Sequence, residues 1–85
     1  MGKYKIEIKK SAAKEIEHLP QPDIKAILGK ISALSENPRP YDCKKLSVEE
    51  KYRIRSGDYR ILYMIEDDVL VVYVVKVGHR RDIYR

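Results

Sequence analysis

Arg53, Arg55, Arg60, Arg80, Arg81 and Arg85 all fall in the final stretch, Lys51 to Arg85, whereas the cations upstream are mostly lysine. A guanidinium presents a fixed fork of donors that matches phosphate bidentately, so arginines gathered in one place point to a phosphate-bearing ligand. Histidine is the side-chain type that exchanges protons near neutrality, and His79 lies among these arginines as a candidate acid or base. Tyr84, in the same basic tail, offers a ring on which a nucleobase can stack. Lys51, Arg81 and Arg85 extend the surface a polyanion could bind.

The elements that must position these groups follow from the alternation of residue types. Lys51 to Arg55 alternates, with Tyr52 and Ile54 opposite Lys51, Arg53 and Arg55. Tyr59 to Ile65 alternates too, with Ile61, Tyr63 and Ile65 opposite Arg60, Leu62 and Met64. Ser56-Gly57-Asp58 supplies the turn. Were Arg55 to face Tyr59, Arg60 would share a face with Ile54 and be driven into the core; the pattern therefore predicts Arg55 opposite Arg60 across a four-residue loop. Arg53, Arg55 and Arg60 then share one face. Three cations side by side repel and gain nothing for folding, so an anion is the expected partner. After Glu66-Asp67-Asp68, Val69 to Val77 is apolar on both faces, which predicts an interior strand whose register the pattern leaves open. Gly78 ends it.

Upstream, Lys3 to Lys9 alternates as a half-buried strand. Ser11 suits an N-cap for a helix running to about His18, with Ala12, Ala13, Ile16 and Leu19 as its apolar stripe. Pro20-Gln21-Pro22 stops it, and Pro22 can open the next helix, on which Ile24, Ile27, Leu28, Ile31 and Leu34 keep helical spacing until Asn37-Pro38. So tight a junction predicts a helical hairpin covering one face of a sheet. The connection from Asn37 to Glu50 is polar, with Tyr41 and Leu46 as its expected anchors. The predicted architecture is α+β: a strand, a two-helix hairpin, then a three-strand antiparallel meander, the helices on one face of an antiparallel sheet.

An 85-residue chain reads as a single domain, residues 1–85. Its hydrophobic fraction of 44% and mean hydropathy of -0.51 suit a small soluble core without disulfides. Cys43 is the single cysteine, no His or Cys cluster has metal-ligand spacing, and neither a signal-like segment nor a bilayer-length apolar run is present. The expectation is a cytoplasmic protein with no cofactor, no metal and no membrane partner. A formal charge of +5 agrees with a polyanionic partner.

In order and spacing, the Tyr52-Arg53-Ile54-Arg55 strand, the Gly57-Asp58-Tyr59-Arg60-Ile61-Leu62-Tyr63 hairpin and the Val77-Gly78-His79-Arg80 ending with Tyr84 resemble the RelE/ParE superfamily of toxins, in its RelE-like branch. The resemblance spans essentially the whole chain. It implies a toxin of a type II toxin-antitoxin system with a cognate antitoxin as partner. It also implies an endoribonuclease acting on the 70S ribosome, cleaving mRNA in the A site without a metal. The RNA 2'-hydroxyl is the implied nucleophile, leaving a 2',3'-cyclic phosphate and a 5'-hydroxyl. Residue by residue, it implies that Arg53 and Arg55 occupy two basic strand positions, lysines in the best-known member, that Arg60 holds the scissile phosphate, that Arg80 lies near the leaving group, and that Tyr84 orients the substrate.

One departure concerns the proton. Arginine stays protonated, so Arg55 is a poor base where a lysine could serve. His79 is the first alternative; Asp42, Glu49 and Glu50 follow, and positioning with charge stabilisation alone is another. Leu62 and Met64, apolar on the bare face, are expected to dock the antitoxin. The competing functions are a ParE-like inhibitor acting on DNA gyrase by protein contact, and a domain that binds RNA or antitoxin without catalysis.

Overall fold

The computed structural model describes residues 3–46 and 51–81. Strand β1 (Lys5–Ile8) leads into α1 (Lys10–Glu17) and α2 (Gln21–Ala33), followed by β2 (Lys44–Lys45), β3 (Lys51–Ser56), β4 (Tyr59–Glu66) and β5 (Val71–His79). The five strands form one sheet in the order β1-β5-β4-β3-β2. The β3–β4 and β4–β5 pairs are antiparallel, as expected; β2, not expected within the polar connection, adds antiparallel to β3, and β1 runs parallel to β5, with Lys5 beside Val71 and Ile8 beside Val74. The sheet is therefore mixed. A period-two pattern tells which side chains share a face; it does not tell which strand lies alongside or in which direction.

Both helices pack on one face. Ala12 and Ile16 from α1, with Ile27, Ile31 and Leu34 from α2 and its end, close over Ile54, Ile61, Tyr63, Val72, Val74 and Val77. At about 25 cal/mol per Å² of apolar area, this burial is the main term holding so small a fold together. Ser11 does not cap α1. It lies inside the helix, whose N-cap is Lys9 and makes no side-chain cap hydrogen bond. Pro22 sits in the first turn of α2 as predicted, while Leu28, expected in the apolar stripe, is exposed.

Of the two anchors expected for the connection after α2, Leu46 is half-buried and its N–H donates to the Lys51 carbonyl at 2.8 Å, but Tyr41 does not serve. Tyr41 is fully exposed. The hold comes instead from the buried Tyr63, whose hydroxyl donates to the Pro38 carbonyl at 2.8 Å, and from Arg39. Arg39 Nη1 and Nη2 reach the Asp67 carboxylate at 3.3 and 2.9 Å, its Nε donates to the Tyr52 hydroxyl, and the guanidinium lies over the Tyr52 ring. Tyr4 donates to the same Asp67 at 2.7 Å. An aromatic ring supplies area, but a loop is held by whatever satisfies its backbone and its charges. Burial, ahead of nearby Cys43, pushes the Tyr63 phenol well above its ordinary range.

Two features set the register. Gly57 has φ of +60° and Asp58 does not enter positive φ, a pattern that suits a two-residue type II' turn. Ser56 pairs with Tyr59, so the turn is tighter than expected, yet Arg55 faces Arg60 as predicted. In β5 the pairing slips: Leu62 faces Lys76 and Tyr63 faces Val74. Val75 is the extra residue of a β-bulge, and it allows Val74 and Val77, three apart, to enter the same core. The strand also starts later than the Val69 expected for it, because Val69 and Leu70 belong to the preceding turn, Leu70 at φ of +55°.

Candidate functional site

Because Ile54 faces Ile61 in the core, the alternate residues of β3 and β4 point to the side bare of helices. Arg55 and Arg60 form a cross-strand pair there, and Arg53 sits opposite Leu62 in the next row. The sheet thus brings together the three arginines the pattern placed on one face. They differ in depth. Arg55 is exposed and Arg53 half-buried, while Arg60 is only 7% exposed. Arg53 and Arg60 both make polar or electrostatic contacts, although Nε of Arg60 is buried without a hydrogen bond among the described residues. Clustered, partly desolvated guanidinium groups set a strong positive potential for an anion that reaches them.

Gly78 faces Arg60 from β5. A Cβ built on it meets no described atom within 4 Å, so neither packing nor backbone strain requires glycine at this point. Glycine weakens a strand, and inside one it often marks close approach by a ligand or another backbone. Arg80 closes the same end: its N–H donates to the Asp58 carbonyl at 2.8 Å, holding it beside the turn between β3 and β4. Arg81 is exposed next to it. Tyr84, Arg85, Glu49 and Glu50 lie outside the described residues.

His79 is not brought to the arginines. It pairs with Tyr59, one step out of phase with the pair Arg60 and Gly78, and its ring meets the Tyr59 ring edge-on at 5.8 Å. It therefore faces the helical side and lines a cleft with Lys14, His18 and Leu19. Its Nδ1 accepts the Arg81 N–H at 3.2 Å, which leaves the neutral ring's proton on Nε2. Asp42 is also turned away, in an ion pair with Lys30 of α2 at 3.1 Å that holds its carboxyl below the ordinary range.

Three lysines share the arginine face. Lys51 was expected there; Lys44, paired with Arg53, and Lys76, paired with Leu62, were not singled out. Lys44 belongs to a two-residue strand within a polar connection, and a segment that short carries no periodicity. Lys76 owes its face to the bulge. Leu62 is only 9% exposed and Met64 half-buried, so Leu62 offers little area for docking and Met64 rather more.

The arrangement can hold a phosphodiester among several cations and stabilise charge that develops on it. Among the described residues no cluster of three or more metal-ligating side chains is found, and no helix is long and apolar enough to cross a membrane. Comparison with known proteins agrees with the geometry. Residues 6–84 match the family described as ParE toxin of type II toxin-antitoxin system. RelE1 of Methanocaldococcus jannaschii is 31% identical over 98% of this chain and 97% of its own length. The RelE-RelB complex of Pyrococcus horikoshii contains a chain that superimposes with a TM-score of 0.83 at 28% identity, over 94% of this chain and 98% of that one. A free-state variant of Escherichia coli toxin RelE gives 0.80 at 27% identity, over 99% and 90%. Fold, basic sheet face and relatives converge, and the chain belongs to the RelE/ParE family of type II toxin-antitoxin toxins, on its RelE-like side.

Proposed function

We propose that this protein is a ribosome-dependent endoribonuclease that cleaves mRNA in the A site of the 70S ribosome, in the cytoplasm, and so arrests translation. The observation that carries the reading is the Arg55–Arg60 cross-strand pair beside Arg53, on the sheet face bare of helices. In this reading the RNA 2'-oxygen attacks the adjacent phosphorus, the bond to the 5'-oxygen breaks, and a 2',3'-cyclic phosphate and a 5'-hydroxyl result. Arg60 and Arg55 bind the non-bridging oxygens, whose charge grows in the transition state. Arg53 and Lys51 guide the flanking backbone, and Arg80 and Arg81 steady the leaving side. Tyr84 stacks on a base. His79 takes no part in proton transfer, since it faces the helices; positioning and charge stabilisation supply the rate, with ribosomal groups free to contribute. A cognate antitoxin is the partner that restrains the toxin, as the RelE-RelB complexes among the similar structures suggest, and Met64 belongs to the surface it would cover.

The test is to add the protein to programmed ribosomes, map the mRNA ends and assay for 2',3'-cyclic phosphate, with DNA gyrase supercoiling measured in parallel. Codon-phased cuts that persist in chelator and vanish in Arg60→Ala are expected. The description of the matched family as ParE favours a second reading, gyrase inhibition by protein contact. Loss of supercoiling activity with no mRNA cuts would establish it and overturn the first.

A further inference from the structure

We infer that the pocket between the start of α1 and the bare face of the sheet is a nucleotide subsite, receiving the base and sugar next to the phosphate held by Arg55 and Arg60. This rests on the nuclease reading and extends it to a part of the fold outside the arginine cluster.

The pocket encloses about 400 Å³, within the size range of small-ligand sites. Its apolar lining is the half-buried Val75, with the little-exposed Leu62 beside it. Val75 is the extra residue of the bulge, so Val75 and Lys76 together stand opposite Leu62, an isopropyl group and a cation on one partner. Lys9, Lys51, Lys76 and Ser11 line it as well. Among the described residues one carboxylate lines it, Glu15, and it already accepts the Val77 N–H through Oε1 at 3.1 Å. Three cations, of which Lys51 already makes a polar or electrostatic contact, against one engaged acid around an apolar lining suit a ligand with a flat apolar ring and a negatively charged backbone. A nucleotide has that make-up.

The pocket is also continuous with the arginines. Leu62 lies between Arg53 and Lys76 in register. Arg60 precedes it by two residues on the same face, about 7 Å along the strand. RNA whose phosphate rests on Arg60 can therefore lay a neighbouring base over Leu62 and Val75. An acidic, partly apolar peptide is the competing occupant, and continuity with the phosphate-binding row favours RNA.

The test uses short single-stranded RNA with 2'-O-methyl riboses, which cannot cleave, titrated by fluorescence anisotropy. Val75→Asp should weaken binding about tenfold, the size of one lost base-stacking contact, and Lys76→Gln about fivefold, through loss of one cation facing the backbone phosphates. Lys25→Gln on the exposed side of α2, and Val71→Asp on the bare face outside the pocket, control for charge and should change binding less than about twofold. Thermal melts of each variant identify misfolding; should Val75→Asp fail to fold, Lys76→Gln decides alone. If the wild type binds no RNA, the subsite falls, whereas the nuclease reading falls only if programmed ribosomes also show no mRNA cuts. If Arg60→Ala weakens binding while both pocket variants do not, the subsite alone falls. Pocket variants that release a cognate antitoxin peptide but leave RNA binding intact would make this a peptide site and overturn the inference.

Discussion

Strands β3 and β4 present Ile54, Ile61 and Tyr63 to the helices and Arg53, Arg55 and Arg60 to the other side, alternating along the same backbone. On the helical side the side chains are 0 to 1% exposed and apolar, and their burial holds the fold. On the bare side stand six cations, Lys44, Lys51, Arg53, Arg55, Arg60 and Lys76, whose proximity opposes folding. The contrast teaches that stability and activity are separable here at the resolution of single residues. Neighbours in sequence should fail in different assays.

The largest separation is expected between Arg60 and Ile61. Arg60→Ala should lower ribosome-dependent cleavage on the order of a hundredfold or more, the effect of losing one transition-state contact. Ile61→Ala should instead destabilise the fold by about 2 to 5 kcal/mol through the cavity it leaves. Urea titration and cleavage assays on both variants check this, and equal loss of stability would erase the distinction between the faces. Gly78→Val sharpens it. A β-branched residue suits a strand, and no described atom opposes a Cβ at that position, so the melting temperature should hold or rise. If RNA passes over Gly78 beside Arg60, cleavage should nonetheless fall about tenfold or more, as for a displaced substrate. Unchanged cleavage would show that nothing approaches there.

Tyr63→Phe probes the helical side more gently. It removes the donor to the Pro38 carbonyl and should cost about 1 kcal/mol without altering cleavage. The smallest effect is electrostatic. Arg39, and after it Tyr4, hold the Asp67 carboxyl below the ordinary range. A carboxyl depressed in the folded state contributes stability above its unfolded pKa and loses it as pH falls through the folded one. Asp67→Asn should therefore lower the melting temperature slightly near about pH 7 and not at all near about pH 2. A difference that persisted in acid would mean the contact is not ionic.

The alternation of β3 and β4 makes the Arg55–Arg60 pairing legible in the sequence, because only that register keeps Arg60 out of the apolar core. The helices were legible for the same reason, apart from the cap at Lys9 and the exposure of Leu28. Part of what escaped lies downstream of Val75. A bulge inserts one residue and reverses which face each later side chain takes, and nothing in an apolar run of valines marks it. Lys76 and His79 owe their faces to that reversal. Reading charge and ring type alone put His79 with the arginines; the phase of the strand put it with the helices. The parallel partner of β1 was equally hidden, since the long crossover between β1 and β5 leaves direction free.

That parallel pairing carries a consequence for the order of events during synthesis. β5 is the last of the five strands in the sequence, yet it lies inside the sheet with β1 on one edge and β4 on the other. While the nascent chain is still short of β5, β1 has no partner, and Arg60 has neither Gly78 beside it nor Arg80 near the turn. A pairing between strands so distant in sequence forms late. A toxin wired this way would be blind to the ribosome still making it. Its basic face would take final shape only once β5 has cleared the exit tunnel, and a stalled-chain series released at increasing lengths should show cleavage appearing abruptly at that point.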